Sequence, residues 1–244
     1  YPLTTSFFEK FVQANYPAYT FTATVSDGAL DLSIHRAWVF MLVVYPTSLE
    51  SEMGPRLAGW EAERRAQFES TYYVSAPADL TFTPTAEETA RGYAAWPVAT
   101  MDPCHPDTFP PSPRPELALS ASATQDEYRP VNLAIRPIAD VTDVSIAVTD
   151  LSDWSGHTIP ASEIERRYVR YLATPDTEFF GSGVLSWKPR LLQSDFPISV
   201  KAQVTKQLWL GIHVPNGTPA GSYTGTVTVH ASSGDLSLPL TLEV

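Results

Sequence analysis

A single cysteine, Cys104, serves 244 residues, so no intrachain disulfide organises the fold. Basic side chains are scarce: 16 Lys and Arg stand against 27 Asp and Glu, for a net charge of −11. That balance argues against nucleic acid as a partner, because phosphate binding needs clustered cations. It argues equally against docking on anionic lipid. Long apolar runs are missing as well. The longest, Ala37 to Tyr45 (AWVFMLVVY), has the length of a buried strand and falls short of the roughly 18 residues that span a bilayer, so no membrane insertion is expected. There is no G-x-S-x-G, no P-loop and no dinucleotide-binding glycine pattern, and hence no expected cofactor. No signal peptide is present and the chain opens on Tyr1 rather than Met. The expectation is that something upstream has been removed.

Proline is plentiful. The 22 prolines are about twice the usual share, which favours many short elements joined by stiff turns over a helical bundle. Residues 5–14 (TSFFEKFVQA) read as a short helix with Phe7, Phe8, Phe11 and Val12 on one face. Tyr19, Phe21, Ala23 and Val25 alternate with threonines, as in a half-buried strand. Asp27-Gly28 is a hairpin signal, Leu30, Leu32 and Ile34 alternate next, and Trp38 to Tyr45 predicts a central strand. The period then changes. Residues 55–72 predict a helix with Pro55 in its first turn, Leu57, Trp60 and Phe68 near one face, and Glu61, Glu63, Arg64 and Arg65 available for ion pairs. A second short helix is expected after Thr83, ended by Gly92.

Seven prolines crowd residues 97–115, which predicts a linker and a domain boundary. Beyond it the β signal is clean. Val131, Leu133 and Ile135 alternate, as do Val144, Ile146 and Val148. Residues 164–172 favour a strand, residues 207–214 form another, and 225–231 with 236–244 make a hairpin about Ser233-Gly234-Asp235. The fold class expected is mainly β: an antiparallel β-sandwich over 116–244, preceded over 1–96 by a partial jelly-roll-like β region with one or two helices. Residues 240–244 still alternate, so both ends read as cut from a longer polypeptide.

A specific resemblance enters at residues 116–230. Ala121 to Tyr128 (ASATQDEY), Leu133 to Arg136, and Val144 to Leu151 with its Asp150-Leu151 end form the first part. Thr205 to Val214 (TKQLWLGIHV), Pro215, Pro219, Ala220-Gly221-Ser222-Tyr223 and Gly225 form the second. This pattern resembles the N-terminal β-sandwich of glycoside hydrolase family 123 and related bacterial carbohydrate-active enzymes. Gln125-Asp126 stands where a glycine is common in that pattern. The resemblance covers roughly half of the chain, and its motifs are structural rather than catalytic. It implies a module that precedes a (β/α)8 barrel, which carries the catalytic acid pair, so no catalytic residue is carried over to this chain. Residues 16–72 more faintly resemble a galactose-binding-like or malectin-like jelly roll.

The residues themselves offer little catalytic machinery. A glycosidase needs paired carboxylates. Glu50/Glu52, Glu61/Glu63, Asp126/Glu127 and Asp150/Asp153 are available, but their contexts are those of helix faces, turns and strand ends. Cys104-His105 with Asp102 and Asp107 lacks a second spaced ligand pair, so no metal is expected. Asn216-Gly217-Thr218 reads as a turn. The candidate carbohydrate contacts are Trp154, in the loop Ser152 to Gly156, and Trp187, before Lys188-Pro189. A flat ring can stack on a pyranose.

The function expected is a non-catalytic N-terminal accessory segment of a larger secreted, periplasmic or cell-surface glycoside hydrolase, buttressing a barrel outside this chain. Its partners would be carbohydrate or a covalently continuous catalytic domain. Two other readings stand: an independent carbohydrate-binding module or adhesin, and a structural surface protein that assembles through strand edges.

Overall fold

The computed structural model describes residues 6–35, 41–74, 82–102, 104–175 and 184–244. The chain divides into two compact units, one of Thr5–Tyr73 and one built from Val74–Val244 with Tyr1–Thr4.

The smaller unit is helical. Helix α1 spans Glu50–Thr71, five residues earlier than Pro55 suggests. Pro55 lies inside it rather than in its first turn. The first turn instead carries Glu50 and Glu52, which suit the positive helix end. Glu52–Arg56, Glu61–Arg64 and Arg65–Glu69 pair along the helix. A π-helical turn, Phe8–Gln13, is fixed to α1 by an edge-on Phe8–Phe68 contact at 5.7 Å and by Arg65–Glu9 at 2.7 Å. The strands expected at 19–25 and 30–34 are not there. Tyr19 is 84% exposed and Phe21 68%, and no strand is assigned between 16 and 35. Alternation supplies a face, but a strand also needs a partner to accept its backbone hydrogen bonds. Residues 38–40 of the expected central strand lie outside the described residues, and 41–45 form no strand.

The larger unit holds the sandwich. A two-residue strand, β1 (Tyr73–Val74), stands at the division between the units. Helix α2 (Ala86–Arg91) follows, opened by Thr85 with Glu88 in a reciprocal capping box and closed by Gly92 at φ +88°. The strands are β2 (Tyr93–Val98), β3 (Leu119–Ser122), β4 (Tyr128–Pro137), β5 (Val141–Val148), β6 (Leu151–Ser152), β7 (Thr158–Ile159), β8 (Ile164–Pro175), β9 (Val184–Gln193), β10 (Ile198–Val200), β11 (Lys206–His213), β12 (Ser222–His230) and β13 (Leu236–Glu243). One sheet contains β9-β8-β11-β4-β2 in that order, the other β10-β5-β12-β13-β3, with β6 pairing β12 and β7 pairing β6. Pairing is antiparallel except between β13 and β3. The fold is therefore mainly β, with the antiparallel sandwich expected of the C-terminal part.

Alternation decides which side chains meet between the sheets. Val131, Leu133 and Ile135 of β4 and Leu208, Leu210 and Ile212 of β11 face Val227 and Val229 of β12 and the four leucines of β13 in one buried cluster. Each such side chain contributes about 1.5–3 kcal/mol.

The proline-rich segment has the composition of a linker and the packing of a strap. Arg136, 3% exposed, donates from Nη1 to the Pro106 and Thr108 carbonyls and to Thr205 Oγ1. Its guanidinium lies 4.2 Å from the Phe109 ring. Thr205 N–H donates to the Pro106 carbonyl at 2.7 Å. Further along, Arg114 grips the Glu88 carboxylate with two nitrogens, at 2.8 and 3.2 Å, and also donates to the Pro111 carbonyl. Burial opposes ionisation of Glu88, but Arg114 and the Thr85 N–H outweigh it and hold the carboxyl below the usual carboxylate range.

Candidate functional site

Four connections meet at one rim of the sandwich: β3–β4, β6–β7, the segment before β8, and β11–β12. Backbone bonds tie them together. Asp126 N–H donates to the Val214 carbonyl at 2.7 Å, and Val214 N–H donates to the Glu127 carbonyl at 3.0 Å. Gln125 reaches across, donating to the Thr218 carbonyl and accepting from Gly217 N–H. Asp150 accepts from Ala161 N–H at 2.7 Å, so it serves the fold. Glu127 also serves the fold: it accepts from Thr124 N–H at 2.8 Å, and that bond first of all lowers its pKa.

Trp154 stands on the β6–β7 turn, 95% exposed. The turn beneath it is pinned. Asp153 Oδ1 accepts from His157 N–H and Oδ2 meets His157 Nδ1, both at 2.8 Å. Asp153 N–H donates to the His157 carbonyl at 3.1 Å. Gly156 takes φ +87°, which an L side chain resists. The Asp153 side chain is 5% exposed. Burial works against its charge, yet the bonds from His157 prevail and hold the carboxyl below its ordinary range. The indole is thus held away from the core on a rigid support.

Trp187, the other expected sugar contact, is corrected by the structure. It is 9% exposed on β9, and its carbonyl faces His105 Nδ1 at 2.8 Å. A buried ring offers no face to a sugar. Of the two tryptophans, the fold leaves Trp154 exposed and buries Trp187.

The rim also holds a histidine whose phase on β11 is opposite to that of Leu208, Leu210 and Ile212. His213, at the end of β11, meets Glu163 Oε2 with Nδ1 at 2.6 Å and Asp126 Oδ1 with Nε2 at 3.6 Å. The hydrogen bond to Glu163 is the first cause raising the His213 pKa. Directly across the ladder sits Tyr128, its ring stacked on the imidazole at 4.4 Å and 20°. The signal was in the sequence only as separated residues. Register was needed to bring 128, 163 and 213 together.

Cys104, within the strap, is 2% exposed. Burial pushes its thiol up to about 11, which leaves it protonated and unreactive at neutral pH. Lys206 is half-buried, with Nζ 5.1 Å from the Tyr168 ring, and burial pushes it down to about 8. Among the described residues, no three His, Cys, Asp or Glu side chains gather as a metal site. No helix among them is long and apolar enough to cross a membrane.

Residues 129–231 match the family model described as the glycoside hydrolase 123 N-terminal domain, within the segment whose motifs carry the resemblance. Among solved structures, a family 123 glycoside hydrolase from Clostridium perfringens, described for glycolipid glycan hydrolysis, matches with a TM-score of 0.55 at 14% identity. The match covers 62% of this chain and 27% of that one, so the likeness is one of fold and spans about a quarter of that enzyme. The fimbrial subunit MyfA of Yersinia enterocolitica, solved with galactose, aligns at 11% identity over 52% of this chain and 95% of its own, with a TM-score of 0.30. The CooA pilin subunit of enterotoxigenic Escherichia coli aligns at 14% identity over 52% and 91%, with a TM-score of 0.26. No curated protein matches the chain.

Proposed function

We propose that this chain is a non-catalytic accessory segment of a larger secreted glycoside hydrolase, whose sandwich buttresses a catalytic domain outside the chain and contacts glycan through Trp154. The observation that carries the accessory part is the match of residues 129–231 to a glycoside hydrolase N-terminal domain. The non-catalytic part is supported by the partners of the candidate carboxylates: in each candidate pair at least one is taken up, Glu52 and Glu61 by arginines, Glu127 and Asp150 by backbone N–H groups, and Asp153 by His157. The test is peptide mapping of the protein isolated from its source. A longer polypeptide that cleaves glycosides, while this chain alone cleaves none, is expected. Turnover of fluorogenic glycosides by the chain alone overturns the reading.

A second reading, an independent carbohydrate-binding module, is favoured by the exposure of Trp154 on a pinned turn. Affinity electrophoresis through polysaccharide gels tests the shared carbohydrate contact. Trp154→Ala is expected to migrate faster through the polysaccharide gel than the retarded wild-type band. Equal retardation of wild type and variant in every gel removes Trp154 from both readings.

A further inference from the structure

The outer face of the first sheet, where β4, β11 and β8 meet the rim, carries a set of side chains that the core does not use. Tyr128 and His213 form a cross-strand pair on that face. The imidazole is fixed from two sides by Glu163 and Asp126, so the Tyr128 ring stacked on it is held in one plane. Its other face looks to solvent, with 63% of the residue exposed. An ordinary exposed tyrosine is free to swing; this one has already given up that freedom, which lowers the entropic cost of binding.

Two further positions along β11 lie on the same face, because Leu208, Leu210 and Ile212 take the inner one. Gly211 comes first. A Cβ there would meet Glu165 Oε2 at 3.6 Å and Trp209 Nε1 at 4.0 Å. The indole N–H of Trp209 and the carboxylate of Glu165 therefore converge above bare backbone. Glu165 is held by Arg167 at 2.9 Å. Trp209 closes the far end, four residues or roughly 13 Å from His213 along the strand. The surface thus offers an aromatic plane, an indole donor, carboxylate acceptors and a low floor.

We propose that this corner is a glycan-binding subsite in which Tyr128 stacks on the face of an uncharged pyranose, and Glu165, Asp126 and Trp209 Nε1 hydrogen-bond its hydroxyls. Pyranosides combine an apolar C–H face with a rim of hydroxyl donors and acceptors, which is the chemistry this surface complements. Asp126, Glu163 and Glu165 against Arg167 leave the patch short of positive charge, so it disfavours uronates and sulfated sugars. The inference rests on the reading of the rim as a carbohydrate-contacting surface, and it adds a site distinct from Trp154.

The experiment titrates the isotopically labelled whole chain with three probes: a neutral hexose oligosaccharide, a neutral N-acetylhexosamine oligosaccharide and a polyuronate fragment. Wild-type amide shifts are expected at 126–128 and 209–213 with at least one neutral probe. Tyr128→Ala is expected to weaken that binding by roughly tenfold, a loss of about 1.4 kcal/mol, while Tyr128→Phe, which keeps the ring, stays within about twofold. The wild-type shift map does not depend on how either variant folds. Binding that survives Tyr128→Ala but is lost in Trp154→Ala overturns this inference and leaves the Trp154 contact standing. Preference for the polyuronate overturns the uncharged ligand class. Absence of shifts with every probe overturns both this site and the carbohydrate reading of the rim.

Discussion

His213 shows how one side chain can couple the rim to pH. Its folded pKa is raised, first by the bond to Glu163 and then by Asp126. The contribution to stability is therefore fully present below the unfolded histidine value of about 6.5 and is lost as pH rises through the folded value. The carboxylates of Glu163 and Asp126 face this ring from the neighbouring elements. An NMR titration of the imidazole should place His213 above an ordinary histidine, and Glu163→Gln should bring it down. A midpoint in Glu163→Gln equal to wild type contradicts the assigned cause. Gly225 gives a second prediction at this scale. A Cβ there would lie 2.6 Å from Leu151 Cδ2 and 2.9 Å from the Asp150 carbonyl. Gly225→Ala should cost about 1–3 kcal/mol, read as a fall in the denaturation midpoint. An unchanged midpoint would mean that the β5–β6 backbone yields freely. This glycine belongs to the turn pattern after Pro215 that carries the family resemblance. Tyr223 belongs to the same pattern, and it is fully buried with its hydroxyl on the Pro219 carbonyl.

At the scale of elements, partners decide what pattern only proposes. The leucines of β13 alternate and pack between two neighbouring strands; the equally regular alternation at 19–25 finds none among the described residues. Strand β2 was hidden because Pro97 lies inside it. It is tolerated beside β4 at a sheet edge, where one row of backbone groups needs no partner. The strap was hidden for a related reason. Proline-rich composition describes a chain that cannot join a ladder, and says nothing of what the buried Arg136 and the half-buried Arg114 do with its carbonyls. Arg136→Ala should cost about 2–3 kcal/mol and make the 104–115 segment sensitive to limited proteolysis. Persistence of the intact band at wild-type rates contradicts the clamp. Arg114→Ala leaves the Glu88 carboxylate, 6% exposed, without its cation. It should destabilise by about 1–3 kcal/mol. Because the Glu88 pKa is depressed in the fold, the stability it supplies is present above the unfolded carboxylate value and lost as pH falls through the folded one. The variant's deficit should therefore narrow on acidification.

For the whole molecule, the mainly β architecture was readable from period-2 runs after residue 130. The family resemblance was readable from the turn motifs between 121 and 225. The rim was only half readable. Trp154 stood out because a tryptophan in a Ser-Asp-Trp-Ser-Gly loop has no strand phase to bury it. The Tyr128–His213 pair did not, because its members are 85 positions apart by number and meet only through the β4–β11 register. Trp187 could not be placed from its flanking Lys188-Pro189, because β9 carries all three opposite β8, at Ala173, Leu172 and Tyr171. The central claim is that this sandwich contacts glycan at its rim without performing chemistry on it. The measurement that tests it most directly is a time series of two-dimensional amide spectra of the chain mixed with the neutral oligosaccharides, with sugar resonances followed in the same tube. The expected result is shift changes confined to 124–128, 153–157 and 209–213, and sugar signals that stay constant. New reducing-end signals, or shifts that fall on residues far from the rim, would contradict it.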